Sequence, residues 1–158
     1  MIPELIRLDN SPWPLLPPGI HRATLEEVEV VCATNRKRRD LFAGLVEAAY
    51  QLQTAGCQRI YLDGSYVTAK PKPGDFDACW DPLGVQRDLL PPVFKDFSNG
   101  RAAQKRAFGG EFFPSTAVEG QSGRAFLSFF QVDRYSGQPK GIIEIEIIAD
   151  SLLNRRAP

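Results

Sequence analysis

Two aspartates one residue apart, Asp75-Phe76-Asp77, are the residues of this chain best placed to do chemistry. On an extended strand, side chains i and i+2 share a face. Asp75 and Asp77 therefore point the same way, and Phe76 turns to the core. Two carboxylates on one face repel each other unless a cation sits between them. Hard oxygen ligands of this kind suit magnesium or manganese. Nine residues upstream stands Gly64-Ser65. Gly64 lets a backbone approach a phosphate closely. Ser65 supplies a hydroxyl and an N–H at the first turn of a short helix, where anions bind well. Between the two motifs runs a mobile loop of lysine, proline and glycine. In it, Lys70 and Lys72 are candidates to neutralise charge on a leaving pyrophosphate. A phosphate cradle facing a metal-binding pair is the minimum apparatus for phosphoryl or nucleotidyl transfer. The plainer reading is a strand–turn–strand with two solvated aspartates, since Asp-Gly-Ser and Lys-Pro-Gly-Asp are common turns and loops. Both halves at this spacing favour the site.

The elements that must position these residues are also legible. Ile60 to Leu62 is an apolar run that reads as a strand. Asp75 opens a second strand, and Glu111-Phe-Phe113 reads as a third, ending at Pro114. Residues 59 to 63, 75 to 80 and 110 to 113 are expected to be neighbours in one mixed sheet. Leu41, Phe42, Leu45, Val46, Ala49 and Leu52 recur at helical spacing, so residues 38 to 54 form a long amphipathic helix that Gly56 stops. Its opening cluster, Arg36-Lys-Arg-Arg39, reads as a solvated face rather than an RNA or triphosphate contact. Thr24-Leu-Glu-Glu27 has the spacing of a capping box. The single histidine, His21, precedes it and is read as structural rather than as a catalytic base. Ser98-Asn-Gly100 caps a helix from Arg101 to Phe108 that carries Lys105 and Arg106. Phe126 to Arg134 and Ile142 to Ile148, joined by Ser136-Gly137, suggest an antiparallel C-terminal hairpin. Glu144 and Glu146 share one face of its second strand. They are a solvent-facing edge with Ile143, Ile145 and Ile147 buried, or else a second carboxylate pair.

Gly64-Ser65, nine residues, then Asp75-Phe76-Asp77-Ala78 resembles the signature of the DNA polymerase beta-like nucleotidyltransferase superfamily. The small size points to its minimal members. Leu16-Pro-Pro-Gly-Ile-His21, Leu62-Asp-Gly-Ser65 and Phe129-Phe-Gln-Val-Asp133 are similar to an uncharacterised bacterial group within it. The resemblance covers residues 40 to 116. It departs at Asp63, where the superfamily usually has an apolar residue. It implies an α+β fold, a small mixed sheet with helices packed on one face, here followed by the C-terminal hairpin. It also implies a third metal-binding carboxylate on the strand after the following helix. Glu111 holds that position by order along the chain, with Glu144 and Glu146 as the alternatives. The implied reaction takes a nucleoside triphosphate held by Gly64, Ser65, Lys70 and Lys72. Magnesium or manganese sits on Asp75, Asp77 and Glu111. The nucleotide passes to a protein or RNA acceptor, in the setting of toxin–antitoxin or phage-defence pairs, where the partner is a cognate toxin or antitoxin. The alternative is an inactive module of the same fold that acts by contact as an antitoxin or regulator. A metal-dependent phosphohydrolase is disfavoured by the single histidine.

The 158 residues fit one domain with a real core. Residues 1 to 20, with five prolines, read as an extended arm anchored by Trp13 and Leu15-Leu16. Residues 21 to 150 read as the domain, and 151 to 158 as a tail, frayed or in contact with another chain. Nineteen basic and nineteen acidic residues cancel, which argues against a general nucleic-acid binder. Cys32, Cys57 and Cys79 are odd in number and lack Cys-x-x-Cys spacing, so neither a disulfide framework nor a zinc site is expected. No signal-peptide pattern and no membrane-spanning apolar run occurs, so a cytoplasmic protein without membrane partners is expected.

Overall fold

A computed structural model describes residues 1–156. Five strands form one open mixed sheet, in the order β1-β5-β2-β3-β4. The strands are β1 (Gly19–Arg22), β2 (Ile60–Asp63), β3 (Phe76–Trp80), β4 (Gly110–Pro114) and β5 (Gly141–Ile145). β2 runs antiparallel to both β3 and β5, whereas β3–β4 and β1–β5 are parallel. The helices are α1 (Leu25–Cys32), α2 (Arg36–Thr54), α3 (Ser98–Phe108), α4 (Phe126–Phe129) and α5 (Ser151–Arg156). The expected α+β class and the three neighbouring strands around the Asp-x-Asp motif are therefore present. No helix among the described residues is long and apolar enough to cross a membrane.

Strand alternation splits the sheet into two unlike faces. Ile60, Leu62, Phe76, Ala78, Phe112, Ile143 and Ile145 face the main core, where they meet Leu25 and Val28 of α1, Leu45 and Leu52 of α2, Phe108 of α3 and Leu153 of α5. Each large apolar side chain sealed there contributes about 1.5–3 kcal/mol of transfer free energy. Gly44 lets α2 cross the end of α3 closely: a Cβ there would lie 1.7 Å from the Phe108 carbonyl oxygen. That crossing fixes where α3 hands over to β4. The opposite face is covered only at one end, by Tyr61, Cys79, Phe130 and Ile142 with Phe113, Phe126 and Leu127 packed against them. Elsewhere that face carries the carboxylates of Asp63, Asp77, Glu111 and Glu144.

Three expectations about the flanks need correction. Among the described residues, Phe126 to Arg134 and Ile142 to Ile148 do not pair as a hairpin: β5 pairs with β1 and β2, and only an isolated antiparallel bridge, Val132–Pro139, spans the Ser136-Gly137 turn. Phe126, Phe129 and Phe130 recur at helical spacing, and α4 uses that spacing to bury Phe130 on the sheet. Residues 131 to 140 loop back, with Asp133 accepting from the Ser136 backbone N–H and hydroxyl. β5 then enters the sheet interior rather than its edge. Glu144 is consequently buried and neutralised by Arg22 (2.6 Å) and Arg59 (3.8 Å), while Glu146 is exposed just beyond the strand. Neither belongs to a metal-binding set. Finally, residues 151 to 156 are a packed helix: Leu153 is buried, and Arg155 and Arg156 pair with Glu26 and Glu47. Residues 157 and 158 of the expected tail lie outside the described residues. The capping box of α1 is formed as expected, with Thr24 and Glu27 each accepting from the other's backbone N–H. His21 binds the Pro17 carbonyl oxygen through Nε2 at 2.7 Å, which is a structural role. In the arm, Ile6 bridges to Leu15, and both Leu15 and Leu16 are buried. Its last residues, 19 and 20, already belong to β1.

Candidate metal centre

Register builds the site. Asp63 of β2, Asp77 of β3 and Glu111 of β4 are directly opposed on three adjacent strands. Neighbouring strands lie about 4.8 Å apart, so the three carboxyl groups must form a row. They lie on the polar face, because Leu62, Phe76, Ala78 and Phe112 take the helical one. Asp75, two residues before Asp77, joins from the strand entrance. One oxygen from each of Asp75, Asp77 and Glu111 lies within 4.8 Å of the others. The spacing-derived pair and the chain-order assignment of Glu111 thus come together in space. Asp63 is held apart from this set by Lys140, whose Nζ is paired with Asp63 Oδ1. An acid at the position where an apolar residue was expected is thereby neutralised from outside the motif. Sequence reasoning missed Lys140. The available signal was Asp63 itself, an acid in an apolar run that demands a counter-charge.

Within the triad, the two aspartates are the members without a paired cation. Asp75 and Asp77 make no ion pair among the described residues. Burial pushes the Asp77 carboxyl well above the ordinary carboxylate range, reinforced by its hydrogen bond to Glu111 and by the Asp63, Glu111 and Asp75 charges. Burial and the Glu111 charge also raise Asp75, against the pull of Lys105, Lys37 and Lys70. Of the two, Asp77 is the group whose neutral, protonated form is favoured, while Glu111 is lowered, against its burial, by that hydrogen bond and by Arg101 and Lys105. Three converging hard oxygens fit a small divalent cation, which would take the place of that proton.

The pH dependence follows from the direction of the Asp77 shift. A raised folded-state value means that the native protein holds a proton the unfolded chain has already lost. This contribution to stability is complete below the unfolded value, about 3.9. It is lost as pH rises through the raised native value. The thermal midpoint of metal-free wild type should therefore fall relative to that of Asp77→Asn as pH rises from about 4. Saturating magnesium should close the gap. Thermal melts of both proteins across pH, with and without metal, check this; a gap that does not change with pH would contradict it.

The Gly64-Ser65 turn faces the triad. Gly64 has φ +85°, and a Cβ there would stand 2.8 Å from Asp77 Oδ2. Only glycine combines that backbone with that approach. Ser65 begins a single 3₁₀ turn, Ser65–Val67. Gly64→Ala should cost about 1–3 kcal/mol and displace the Asp77 carboxylate. Urea denaturation and metal titration check both effects; a fully stable variant with native metal affinity would contradict them.

The loop between the motifs, which carries Lys70 and Lys72, is tied to the start of α2 by hydrogen bonds. Arg38, the third residue of α2, is buried and donates to four carbonyls. Nη1 reaches Cys32 (3.0 Å) and Tyr66 (2.6 Å), and Nη2 reaches Thr68 and Lys70 (2.7 Å each). Asn35 Nδ2 adds a bond to the Pro71 carbonyl at 2.7 Å. The basic cluster is therefore a solvated face only at Arg36, Lys37 and Arg39. This pinned loop leaves Lys70 half-buried and electrostatically coupled to Asp75, and Lys72 exposed.

On the other side, Arg101 and Lys105 of α3 approach Glu111. Arg101 Nε and Nη2 donate to Glu111 Oε1 at 2.9 and 2.8 Å, and Lys105 Nζ lies 3.3 Å from the same oxygen. Phenylalanines continue the row: Phe113 stacks between Phe97 (5.9 Å) and Phe126 (4.1 Å). The three cysteines are buried and free, and burial pushes the Cys32 thiol up to about 11, so none is a ready nucleophile or metal ligand.

A family model described as "Family of unknown function (DUF6932)" matches residues 8–146, and the chain belongs to that family. No curated protein and no solved structure matches the chain.

Proposed function

We propose that this member of DUF6932 is a metal-dependent nucleotidyltransferase of the DNA polymerase beta-like type. The observation that carries the reading is the convergence of Asp75, Asp77 and Glu111 opposite the Gly64-Ser65 turn. Asp75, Asp77 and Glu111 would hold magnesium or manganese, which supplies charge neutralisation between triphosphate and acceptor. The Gly64-Ser65 turn and Lys70 would hold the outer phosphates, and Lys72, exposed on the same loop, would meet the leaving pyrophosphate. With its proton gone, Asp77 would orient an acceptor hydroxyl for in-line attack on the α-phosphorus. The acceptor is a protein or an RNA, in the manner of toxin–antitoxin or phage-defence partners. Buried, unpaired cysteines support a cytoplasmic setting.

Incubation with manganese, cell extract and a triphosphate labelled at the α or the γ position tests this. Label should reach a macromolecule from the α position alone. Transfer from the γ position instead would make the protein a kinase. A second reading, a contact-only module that keeps the fold, is favoured by one observation. Arg101 and Lys105 already compensate Glu111. In that case no label moves and Asp77→Asn retains full biological effect.

A further inference from the structure

We infer that Arg101 is an exchangeable cation of the site: it occupies Glu111 while the carboxylates are metal-free and turns to the triphosphate when a divalent cation takes Glu111. The inference rests on the metal-site reading and adds to it a coupling between metal and triphosphate. Three observations carry it.

The first is competition for one carboxylate. Both guanidinium bonds of Arg101 end on Glu111 Oε1, and Glu111 is one of the three carboxylates that converge. A divalent cation and a guanidinium on the same carboxylate repel each other at close range, and binding of the first weakens the hold of the second.

The second is the backbone beneath Arg101. Asn99, Gly100 and Arg101 have φ +53°, +65° and +62°, three successive left-handed residues. Such a run is costly for an arginine and persists only where the surroundings hold it. Here it turns the Arg101 side chain across the sheet face rather than along the exposed side of α3.

The third is a second anchor. The guanidinium lies 5.6 Å from the centre of the Phe113 ring. That contact does not depend on Glu111, so Arg101 stays beside the triad after it lets the carboxylate go. A planar fork left without a carboxylate suits phosphate oxygens. Lys105 makes one longer contact from a regular helical position, and its flexible stem gives it the lesser share.

Arg101→Asn is the test, because Asn tolerates the left-handed region and removes the cation. Manganese is titrated into wild type, Arg101→Asn and Asp77→Asn, each with and without a non-hydrolysable triphosphate. Wild type should bind manganese weakly alone and about 5- to 150-fold more tightly with the triphosphate, the usual span of a coupling between sites. Arg101→Asn should bind manganese alone more tightly than wild type, by about 5-fold or more, and lose most of the gain from triphosphate. Unchanged or weaker metal binding by Arg101→Asn, or full retention of the gain, overturns the exchange while leaving the metal site standing. Equal manganese binding by wild type and Asp77→Asn overturns the metal site and the exchange with it. A thermal melt of Arg101→Asn accompanies the titration. If that variant fails to fold, Arg101→Gly, which also suits a positive φ, replaces it under the same criteria.

Discussion

Asp77→Asn is expected to reduce nucleotide transfer by on the order of 10³-fold or more, while the metal-free protein keeps its fold. The activity loss follows from position. Asp77 is the central carboxylate of the row, flanked by Asp63 and Glu111 in register. It is also the group that would both hold the cation and orient the acceptor. Removing a single fixed charge that stabilises a transition state already costs about 10²–10³ in rate, and here the cation would be lost as well. Survival of the fold follows from charge. Burial and the neighbouring carboxylates raise the Asp77 carboxyl and favour its neutral form in the metal-free site. An Asn amide has the same shape and still offers Glu111 a hydrogen. At pH values where wild-type Asp77 ionises, the Asn also removes its repulsion with Glu111 and Asp75. The thermal midpoint should be unchanged or higher. Label transfer and a metal-free melt, run together, check the pair of outcomes. A large fall in stability would mean that Asp77 is a structural carboxylate tied to the Gly64-Ser65 turn.

The largest stability effect is expected at Arg38, which makes no ion pair with the carboxylates among the described residues. Its guanidinium satisfies the carbonyls of Cys32, Tyr66, Thr68 and Lys70 in a site only 5% exposed. Each hydrogen bond from a charged donor contributes about 1.5–3 kcal/mol, and carbonyls left dry and unpaired cost more. The four are not additive, because the loop can let some carbonyls turn to water. Arg38→Met should still cost about 3 kcal/mol or more, a large fraction of the 5–15 kcal/mol typical of a domain. Arg38→Lys should rescue little, since one ammonium cannot reproduce a fork spread over both ends of the loop. Urea denaturation of the two variants checks this. A loss of under about 1 kcal/mol in Arg38→Met would show that the loop does not need the staple.

Arg38 also marks the limit of what the sequence could show. Residues 36 to 39 look alike on paper, four cations at a helix start. Which one turns inward depends on the loop that crosses above it, a contact made across some thirty residues. By contrast, Asp75 and Asp77 were legible because strand alternation is local, and α2 because its apolar period is long and regular. Glu111 was reachable through order along the chain, and the parallel register of β3 and β4 supplied what order could not. The C-terminal region was misread for a physical reason. A short run rich in phenylalanine fits a strand and a helical turn equally well until the surface it must cover is known. Asp63–Lys140 and Arg101–Glu111 are tertiary pairs, and each seals one end of the carboxylate row. Neither pairing has a local spacing that announces it, although Asp63 in an apolar run and Arg101 beside Asn99-Gly100 were the visible halves.

The central claim is that Asp75, Asp77 and Glu111 hold a cation that brings a triphosphate to the Gly64-Ser65 turn. A crystal soaked with manganese and a non-hydrolysable nucleoside triphosphate tests it most directly, because manganese can be located by its anomalous scattering. The account predicts a manganese peak bonded to all three carboxylates, with phosphate oxygens completing the shell and Arg101 no longer on Glu111. Triphosphate bound elsewhere, or a triad that stays free of manganese with Arg101 still on Glu111, would contradict it.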